Sequence, residues 1–412
     1  MDQKTWPGTA RRGALALALA AALAGPRPAA AADTPAGDAA HAGAALGVDL
    51  YRIFALQDGN VFFSPYSVSE ALALLSAGAG GRTQLEILRT LHWTRPPEGM
   101  PEAFKAQDLQ LDHASQGGAI LSVANGLWFQ RGREPRAAFL DIARREYRAD
   151  VRVSDFGADL PVSRRMINYW VAQKTGGKIL ELLPNGALTP FTRLVLANAI
   201  YFKGEWEQPF KADRTVPRPF FNAKGQSAMA PAMTQSAGFR TAGADGCDLL
   251  ELPYAGGELS MVVLLPRTRD GLPDLEQRLS ADGLSQWMAE LDKAGKQELV
   301  VTLPRFKMSY TADLSGPLAQ LGMATAFKEG QADLSGINGK RDLYVSAALH
   351  KAFVDVNEEG TEAAAATGMV MQSFAVHQTR TFTVDHPFLF LIRDTSTGSL
   401  LFLGRIVDPK TD

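Results

Sequence analysis

The side chains that most often carry out chemistry are scarce in this sequence, and none has the spacing that catalysis or metal binding requires. Cys247 is the only cysteine, so an intramolecular disulfide, a CxxC redox pair and a four-cysteine zinc site are excluded. The six histidines never lie four residues apart, so no two imidazoles share a helix face; they are at positions 41, 92, 113, 350, 377 and 386. We expect no metal ion and no cofactor.

Motifs for nucleophilic catalysis and for nucleotide binding are also absent. The Gly-Lys pairs that start at Gly177, Gly295 and Gly339 are not followed by the Ser or Thr of a Walker loop. The GxSxG, SxxK and HExxH patterns do not occur. An enzyme, for example an unrecognised secreted hydrolase, is therefore the least favoured class of function.

The composition is that of an ordinary globular protein. Of the 412 residues, 46% are hydrophobic and 21% are charged, which is sufficient for a large packed core. Lys and Arg number 42 against 44 Asp and Glu, so the formal net charge is -2. Because no basic tract breaks this balance, we expect neither a nucleic acid nor an anionic membrane as the main partner.

The first 32 residues have the layout of a secretory signal peptide. Arg11 and Arg12 precede an apolar run, Ala14 to Ala24, that is too short to cross a bilayer as a helix. A small-residue cleavage site follows and ends at Ala32. We expect residues 1–32 to be removed and the mature protein to be secreted or periplasmic. A disordered alanine-rich tail is the alternative, and the two arginines leave the export route, Sec or twin-arginine, open.

Hydrophobic patterning predicts one α+β domain over residues 33–412, without an internal repeat or a linker. Helices dominate the first half, at 44–54, at 67–78 after the capping pair Ser64-Pro65, and from 163 towards 183 with a stop near Gly176. Buried strands are predicted at 118–129, 193–203 and 350–356, and hairpins at 249–265 and 388–407.

One segment, residues 357–380, fits neither pattern. Its alanine-rich centre favours helix by propensity, yet Gly360 and Gly368 enclose only about two turns, too few for a stable isolated helix. No apolar stripe would anchor that helix to the body. A long segment without structure of its own is usually functional or disordered, so a flexible surface connection is the simpler interpretation and a functional loop is the other.

Eight segments spread along the chain favour the functional interpretation. They are Asn60 to Leu75, Ile167 to Val171 with Thr175 to Leu183, Asn198 to Phe210, Leu303 to Lys307, Asn357 to Thr367, Asp385 to Asp394 and Leu401 to Pro409. In this order they strongly resemble the serpin family, over essentially all of residues 44–409. The resemblance implies the serpin fold: a single α+β domain with a large central mixed β-sheet, two further sheets, about eight or nine helices and an exposed reactive-centre loop at about 358–381.

Inhibitory serpins trap proteases by inserting the cleaved loop into the central sheet, and this sequence meets the physical requirements. A strand that enters a preformed sheet needs small side chains because protein interiors are close-packed. Residues 360–372 contain no proline, and alternation places four small residues on one face, which we expect to be buried: Thr361, Ala363, Ala365 and Thr367. The predicted hinge comprises Glu358, Gly360, Thr361, Glu362, Ala363, Ala364, Ala365, Ala366 and Thr367.

The scissile bond follows from the family's usual spacing after the hinge glycine. Counting fourteen positions from Gly360 gives Phe374, with Ala375 on the leaving side; a loop one residue shorter would give Ser373-Phe374. Phenylalanine fills a large apolar specificity pocket, which favours chymotrypsin-like or subtilisin-like proteases as targets. A loop aromatic that packs on the body is the alternative role for Phe374.

Two polar clusters of the family match this sequence. The shutter lies under the centre of the sheet and corresponds to Ser64, Ser67, Asn198 and His350. The breach, where insertion begins, corresponds to Trp206, Arg305 and Glu358. We expect Glu358 to pair with Arg305; a solvated Glu358 is the alternative.

The resemblance therefore implies a bacterial serpin of inhibitory type that traps its target serine protease as a covalent acyl complex, and the predicted leader implies that it is secreted. We expect a monomer that polymerises when it is destabilised. A serpin-fold binding protein without inhibitory activity, or a mere protease substrate, is the alternative.

Overall fold

The computed structural model describes residues 34–222, 224–361 and 380–409. The predicted leader, residues 1–32, and most of the predicted reactive-centre loop, residues 362–379, lie outside these ranges. Eight helices of seven or more residues are α1 Pro35–Phe54, α2 Pro65–Ala77, α3 Gly81–Thr90, α4 Met100–Ser115, α5 Ala137–Tyr147, α6 Leu160–Lys174, α7 Leu272–Arg278 and α8 Ala281–Lys293. Two single turns follow, α9 Ser315–Leu318 and α10 Ser335–Asn338.

Six strands form the sheet that carries the hinge. In spatial order they are β10 Phe306–Asp313, β11 Val345–Val356, β12 Gly360–Thr361, β4 Leu194–Glu205, β2 Ile120–Gln130 and β3 Asp150–Ser154. β11 runs parallel to β4, while β10 is antiparallel to β11 and β2 is antiparallel to β4. The sheet is therefore mixed, as the resemblance implies.

The remaining nine strands form one network instead of two separate sheets. They are β1 Val61–Phe63, β5 Val216–Phe221, β6 Ser227–Ala244, β7 Cys247–Pro253, β8 Leu259–Pro266, β9 Lys296–Pro304, β13 Arg380–Thr383, β14 Phe388–Asp394 and β15 Leu400–Ile406. The 18-residue strand β6 joins them because it pairs with β5 at one end, with β7 at the other and with β9 between. The two further sheets are thus continuous through β6.

Local sequence explains the helix that lies beneath the first sheet. Ser64 caps α2 by accepting a hydrogen bond from the backbone N–H of Ser67 at 3.0 Å, and Pro65 occupies the first turn. Nearly every residue of α2 is buried, including Glu70, as its all-round apolar pattern predicts. α2 is therefore a core helix that brings polar side chains under β4 and β11.

Helix α6 ends close to the glycine stop that the sequence predicts. It stops at Lys174 because Gly176 and Gly177 adopt positive φ angles of 58° and 80°. The following residues fold back onto the helix, where Asn168 Oδ1 accepts hydrogen bonds from the backbone N–H groups of Leu182 and Leu183.

Within the described ranges, no helix has the length and apolar character of a membrane span.

The parting of β4 and β11 as the candidate functional site

Strands β4 and β11 are paired along most of their length and separate near one end. Their parallel register runs from Leu194 opposite Val345 to Tyr201 opposite Phe353. Beyond this point β12 lies between them, antiparallel to both: Thr361 pairs with Val356 on one side and with Gly204 on the other. The chain that leaves β11 has therefore turned back and begun a new strand inside the sheet.

Gly360 allows β12 to approach β4, and Gly204 makes room for the Tyr254 ring beside them. A Cβ on Gly360 would overlap the carbonyl oxygen of Gly204 and lie 2.7 Å from Cα of Glu205. A Cβ on Gly204 would in turn lie 2.9 Å from the ring of Tyr254. A larger residue at position 360 would force the two backbones apart, and one at position 204 would displace the Tyr254 ring, so both glycines are required for close approach and not for a left-handed turn.

Thr361 faces the interior. Its side chain is fully buried, and its Oγ1 lies 2.7 Å from the hydroxyl of Tyr254. The Tyr254 ring stacks on Trp206 with centroids 4.7 Å apart, and burial raises the pKa of the Tyr254 hydroxyl. Thr361 thus lies on the buried face that strand alternation assigns to it. The other members of that face, Ala363, Ala365 and Thr367, lie outside the described residues, as do Glu362, Ala364 and Ala366.

Trp206 holds the turn between β11 and β12 at the breach. Its indole Nε1–H donates to the carbonyl of Asn357 at 3.0 Å, and its backbone N–H donates to the carbonyl of Glu359 at 2.8 Å. The backbone N–H of Phe210 donates to the carbonyl of Glu358 at 2.7 Å. Three consecutive carbonyls are therefore satisfied by the segment that follows β4, which fixes where the hinge enters the sheet.

Glu358 and Arg305 form the ion pair that we expected from the sequence. Arg305 Nη1 lies 3.5 Å from Glu358 Oε1, and the same oxygen accepts the Thr215 hydroxyl at 2.7 Å. The Arg305 side chain is 40% exposed, whereas that of Glu358 is 12% exposed. Solvent therefore screens the pair, and the hydrogen bond from Thr215 is the closer contact.

Replacing Glu358 by glutamine is expected to have a small effect. A half-exposed ion pair contributes about 0–1 kcal/mol, and the amide oxygen of glutamine can still accept the Thr215 hydroxyl. We expect Glu358→Gln to lower the free energy of unfolding by less than about 1 kcal/mol, as measured by urea denaturation. A loss several times larger would show that the pair is shielded from water.

The four predicted shutter residues lie together beneath the sheet, and all are fully buried. The backbone N–H of Ser64 donates to His350 Nε2 at 3.1 Å, so Nδ1 carries the ring proton and donates to Asn198 Oδ1 at 2.5 Å. Asn198 Nδ2 donates to the Ser67 hydroxyl at 2.7 Å. Burial lowers the pKa of His350 to about 3, in agreement with a neutral ring.

The hydrogen bond from His350 to Asn198 joins the two strands that must separate. His350 lies on β11 opposite Asn198 on β4, so the bond crosses the line along which the two strands separate. Extending β12 further into the sheet must break it. The shutter therefore holds β4 and β11 together below the point where they part.

The structure adds residues that sequence reasoning missed. Asn198 Nδ2 also contacts Asn125 Oδ1 on β2, and Asn125 Nδ2 donates to Glu70 Oε2 at 2.6 Å. Asn125 interrupts the apolar strand pattern of β2, which is a signal that could have identified it. Tyr254 and Thr215 offer no such signal because their roles depend on contacts with distant parts of the chain. Among the described residues, no group of three metal-ligating side chains could hold a metal ion.

The lowered pKa of His350 predicts a pH dependence of stability. The ordinary pKa is 6.5 and the folded pKa is about 3, so the unfolded state binds more protons between these values. The stability that His350 provides is therefore complete above about pH 6.5 and is lost as the pH falls towards 3. We expect the difference in free energy of unfolding between the wild type and His350→Ala to shrink by up to about 1.4 kcal/mol per pH unit across this window. Urea denaturation at a series of pH values measures it, and a difference that is constant with pH would contradict a buried, neutral His350.

Comparison with known proteins agrees with this geometry. The family model described as "Serpin (serine protease inhibitor)" matches residues 41–409. The chain belongs to the serpin family. Leukocyte elastase inhibitors of Xenopus tropicalis and Homo sapiens are each 40% identical to this serpin, over 85% of its chain and 93% of theirs. It is thus a member of a family of protease inhibitors and not of an enzyme family.

Solved structures show the same fold. Human thyroxine-binding globulin matches with a TM-score of 0.83 and 30% identity, over 92% of this chain and all of the globulin. Serpin48 of the insect Tenebrio molitor, described as a highly specific serpin, matches with a TM-score of 0.80 and 30% identity over 90% of this chain and 98% of its own. The first of these carries the name of a binding protein, so the fold alone does not decide between inhibition and binding.

Proposed function

We propose that this serpin is a suicide-type inhibitor of serine proteases with chymotrypsin-like or subtilisin-like specificity. The observation that carries the proposal is β12, which already occupies the gap between β4 and β11. The next residues on its buried face, Ala363, Ala365 and Thr367, are small, and residues 360–372 include no proline, so the strand can continue without overpacking the sheet. The hinge is thus built for insertion.

The proposed chemistry is a protease reaction that stops at the acyl-enzyme. The protease serine Oγ attacks the carbonyl carbon of Phe374, the bond to Ala375 breaks, and the protease histidine passes the serine proton to the new amine. Phe374 is then joined to the protease as an ester, which water would normally hydrolyse. Insertion of the freed loop between β4 and β11 competes with that hydrolysis and displaces the protease before it is released. The bond Phe374-Ala375 lies outside the described residues and remains a prediction.

Backbone hydrogen bonds provide much of the driving force. Each bond contributes about 1 kcal/mol net, so about ten new ladder bonds supply about 10 kcal/mol before apolar burial is added. Against this, insertion must break the shutter bond between His350 and Asn198. The uncleaved protein is therefore a metastable monomer on this proposal, and weakening the shutter favours insertion of a second molecule's loop, which is polymerisation.

The relatives widen the set of candidate targets. Phe374 favours a chymotrypsin-like or subtilisin-like protease, whereas the relatives' names point to leukocyte elastase. The runner-up function, a binding protein without inhibitory activity, draws support from thyroxine-binding globulin, which has the same fold. The small, proline-free hinge is what favours inhibition over binding.

A denaturing gel tests the proposal. The protein is incubated separately with chymotrypsin, subtilisin and leukocyte elastase, and the released C-terminal peptide is weighed by mass spectrometry. We expect a covalent complex with chymotrypsin or subtilisin and a peptide that begins at Ala375; a peptide that begins at Phe374 would place the bond one residue earlier. Cleavage by all three proteases without any complex would contradict inhibition and favour the runner-up.

We further propose that the protein is secreted or periplasmic after cleavage near Ala32. The basic start, the apolar run and the small-residue site support this. Mass determination of the protein expressed with its own leader in a bacterial host should give a chain that begins at Asp33, outside the cytoplasm. A full-length chain retained in the cytoplasm would overturn the proposal.

A further inference from the structure

A cavity of about 360 Å³ lies beside the shutter, under β2 and between helices α2 and α4. Its wall on the sheet side includes Leu121, Val123 and Asn125, which alternate along one face of β2. Its mouth is bordered by Asp112 and Arg148, whose side chains are about half exposed and pair with each other at 2.7 Å. The cavity is large enough for a small organic ligand.

Two buried carboxyl groups face this cavity, and the cation nearest to them, Arg148 at the mouth, forms its ion pair with Asp112 instead. Glu70 and Asp108 are 3% and 4% exposed. Glu70 accepts from Asn125 Nδ2 at 2.6 Å and Asp108 accepts from the Tyr66 hydroxyl at 2.6 Å, and both donors are neutral. The two carboxyl groups also lie within hydrogen-bond reach of each other, so a proton shared between them occupies the place that a ligand's cationic group would take. Among the described residues, no basic side chain forms an ion pair with either. Burial raises the pKa of both groups, that of Asp108 to about 6, so their surroundings disfavour two negative charges.

A buried hydroxyl provides a second, independent sign of a ligand. Tyr147 is 1% exposed and lines the same cavity, yet its hydroxyl has no hydrogen-bond partner among the described residues. It lies close enough to Glu70 and Asp108 for their charges to raise its pKa further, after burial as the main cause. An unpaired buried hydroxyl is destabilising, and a bound ligand that pairs with it would remove that penalty.

These features select the class of ligand. Two carboxyl groups and a free hydroxyl favour a positively charged hydrogen-bond donor, and the apolar side chains on β2 favour a short hydrocarbon body. A bare metal ion is a poor fit because no group of three metal ligands exists among the described residues. We propose that this cavity binds a small organic cation, with its ammonium or amidinium group between Glu70, Asp108 and Tyr147.

A series of hydrogen bonds connects the cavity to the shutter. Glu70 accepts from Asn125, whose own side-chain oxygen contacts Asn198, and Asn198 accepts from His350 across the line between β4 and β11. A cation that binds the Glu70 carboxylate restricts its motion, and therefore also restricts Asn125 and stabilises this series of hydrogen bonds. Ligand binding is therefore expected to hold β4 and β11 together. The resulting slower protease trapping rests on the proposed function, whereas binding itself does not.

Isothermal titration calorimetry with benzylamine tests the site, with benzyl alcohol as the uncharged probe of the same shape. We expect benzylamine to bind at least about tenfold more tightly, a difference of about 1.4 kcal/mol. Tyr147→Phe should weaken its binding by about fivefold, the equivalent of one hydrogen bond, and should leave protease trapping without ligand unchanged. Tyr169→Phe removes an exposed hydroxyl and is the matched control; it should bind as the wild type does. Glu70→Gln should abolish benzylamine binding. If the Glu70→Gln variant does not fold, the comparison of Tyr147→Phe with the wild type still tests the site.

Hydrogen–deuterium exchange tests the link to the shutter without any protease. Benzylamine should slow exchange in residues 194–205 of the wild type and have less effect in Tyr147→Phe. Absence of binding at millimolar benzylamine, equal binding of benzyl alcohol, or equal binding by the wild type and Tyr147→Phe would overturn the proposed site. Binding without any change in exchange would overturn the link. Loss of protease trapping alone would count against the proposed function and not against the cavity.

Discussion

Replacing Thr361 by arginine is expected to convert the protein from an inhibitor into a substrate. Thr361 is fully buried between β11 and β4, with its hydroxyl 2.7 Å from that of Tyr254. An arginine there would bury an unpaired charge, which costs several kcal/mol, and would also overfill a close-packed site. Insertion slows, and hydrolysis of the acyl-enzyme then finishes first.

The measurement is the fraction of protein that ends as covalent complex compared with the fraction that is simply cleaved. A barrier raised by about 3 kcal/mol slows insertion by about a hundredfold, so we expect almost all Thr361→Arg to be cleaved and released. Thr311→Arg places the same charge on β10 of the same sheet at an exposed position and should trap protease normally. Equal trapping by Thr361→Arg and Thr311→Arg would contradict insertion through this gap.

The second large effect is expected from His350→Ala. The substitution leaves the Ser64 N–H and Asn198 Oδ1 without their buried partners, at about 1–3 kcal/mol each, and creates a cavity. It also removes the bond that joins β4 to β11. We expect a lower midpoint of urea unfolding and, on mild heating, faster conversion to inserted or polymeric forms.

Native gels and urea denaturation at pH 7.5 measure both effects. His113→Ala is the matched control because His113 is 67% exposed and its contact with Glu258 is on the surface. The control should change the unfolding midpoint little. If His350→Ala were as stable and as monomeric as His113→Ala, the shutter would not hold the strands together.

Much of the fold could be predicted from the sequence because its signals are local. The cap at Ser64-Pro65 and the glycines after α6 mark helix ends, and the apolar runs of β2 and β4 mark buried strands. The continuity of the two further sheets was not predictable. It depends on β6 pairing with three partners along 18 residues, and register of that kind is decided by tertiary contacts.

The candidate site likewise includes features that could be predicted from the sequence and contacts that could not. Period-two alternation was sufficient to place Thr361 on the buried face, and the resemblance was sufficient to group His350 with Asn198. The contact between Tyr254 and Thr361 joins residues 107 apart, and that between Tyr66 and Asp108 joins residues 42 apart. Such pairs leave no pattern in a single sequence, because only packing brings them together.

A crystal structure of the protein after cleavage in its loop would show directly whether the loop inserts between β4 and β11. We expect residues 361–374 to form a full strand between β4 and β11, with Ala363, Ala365 and Thr367 on the same buried face as Thr361. We also expect the His350 to Asn198 bond to be broken and the cleaved protein to unfold at a higher temperature than the intact one. A cleaved structure in which β4 and β11 remain paired from Leu194 and Val345 to Tyr201 and Phe353 would contradict insertion.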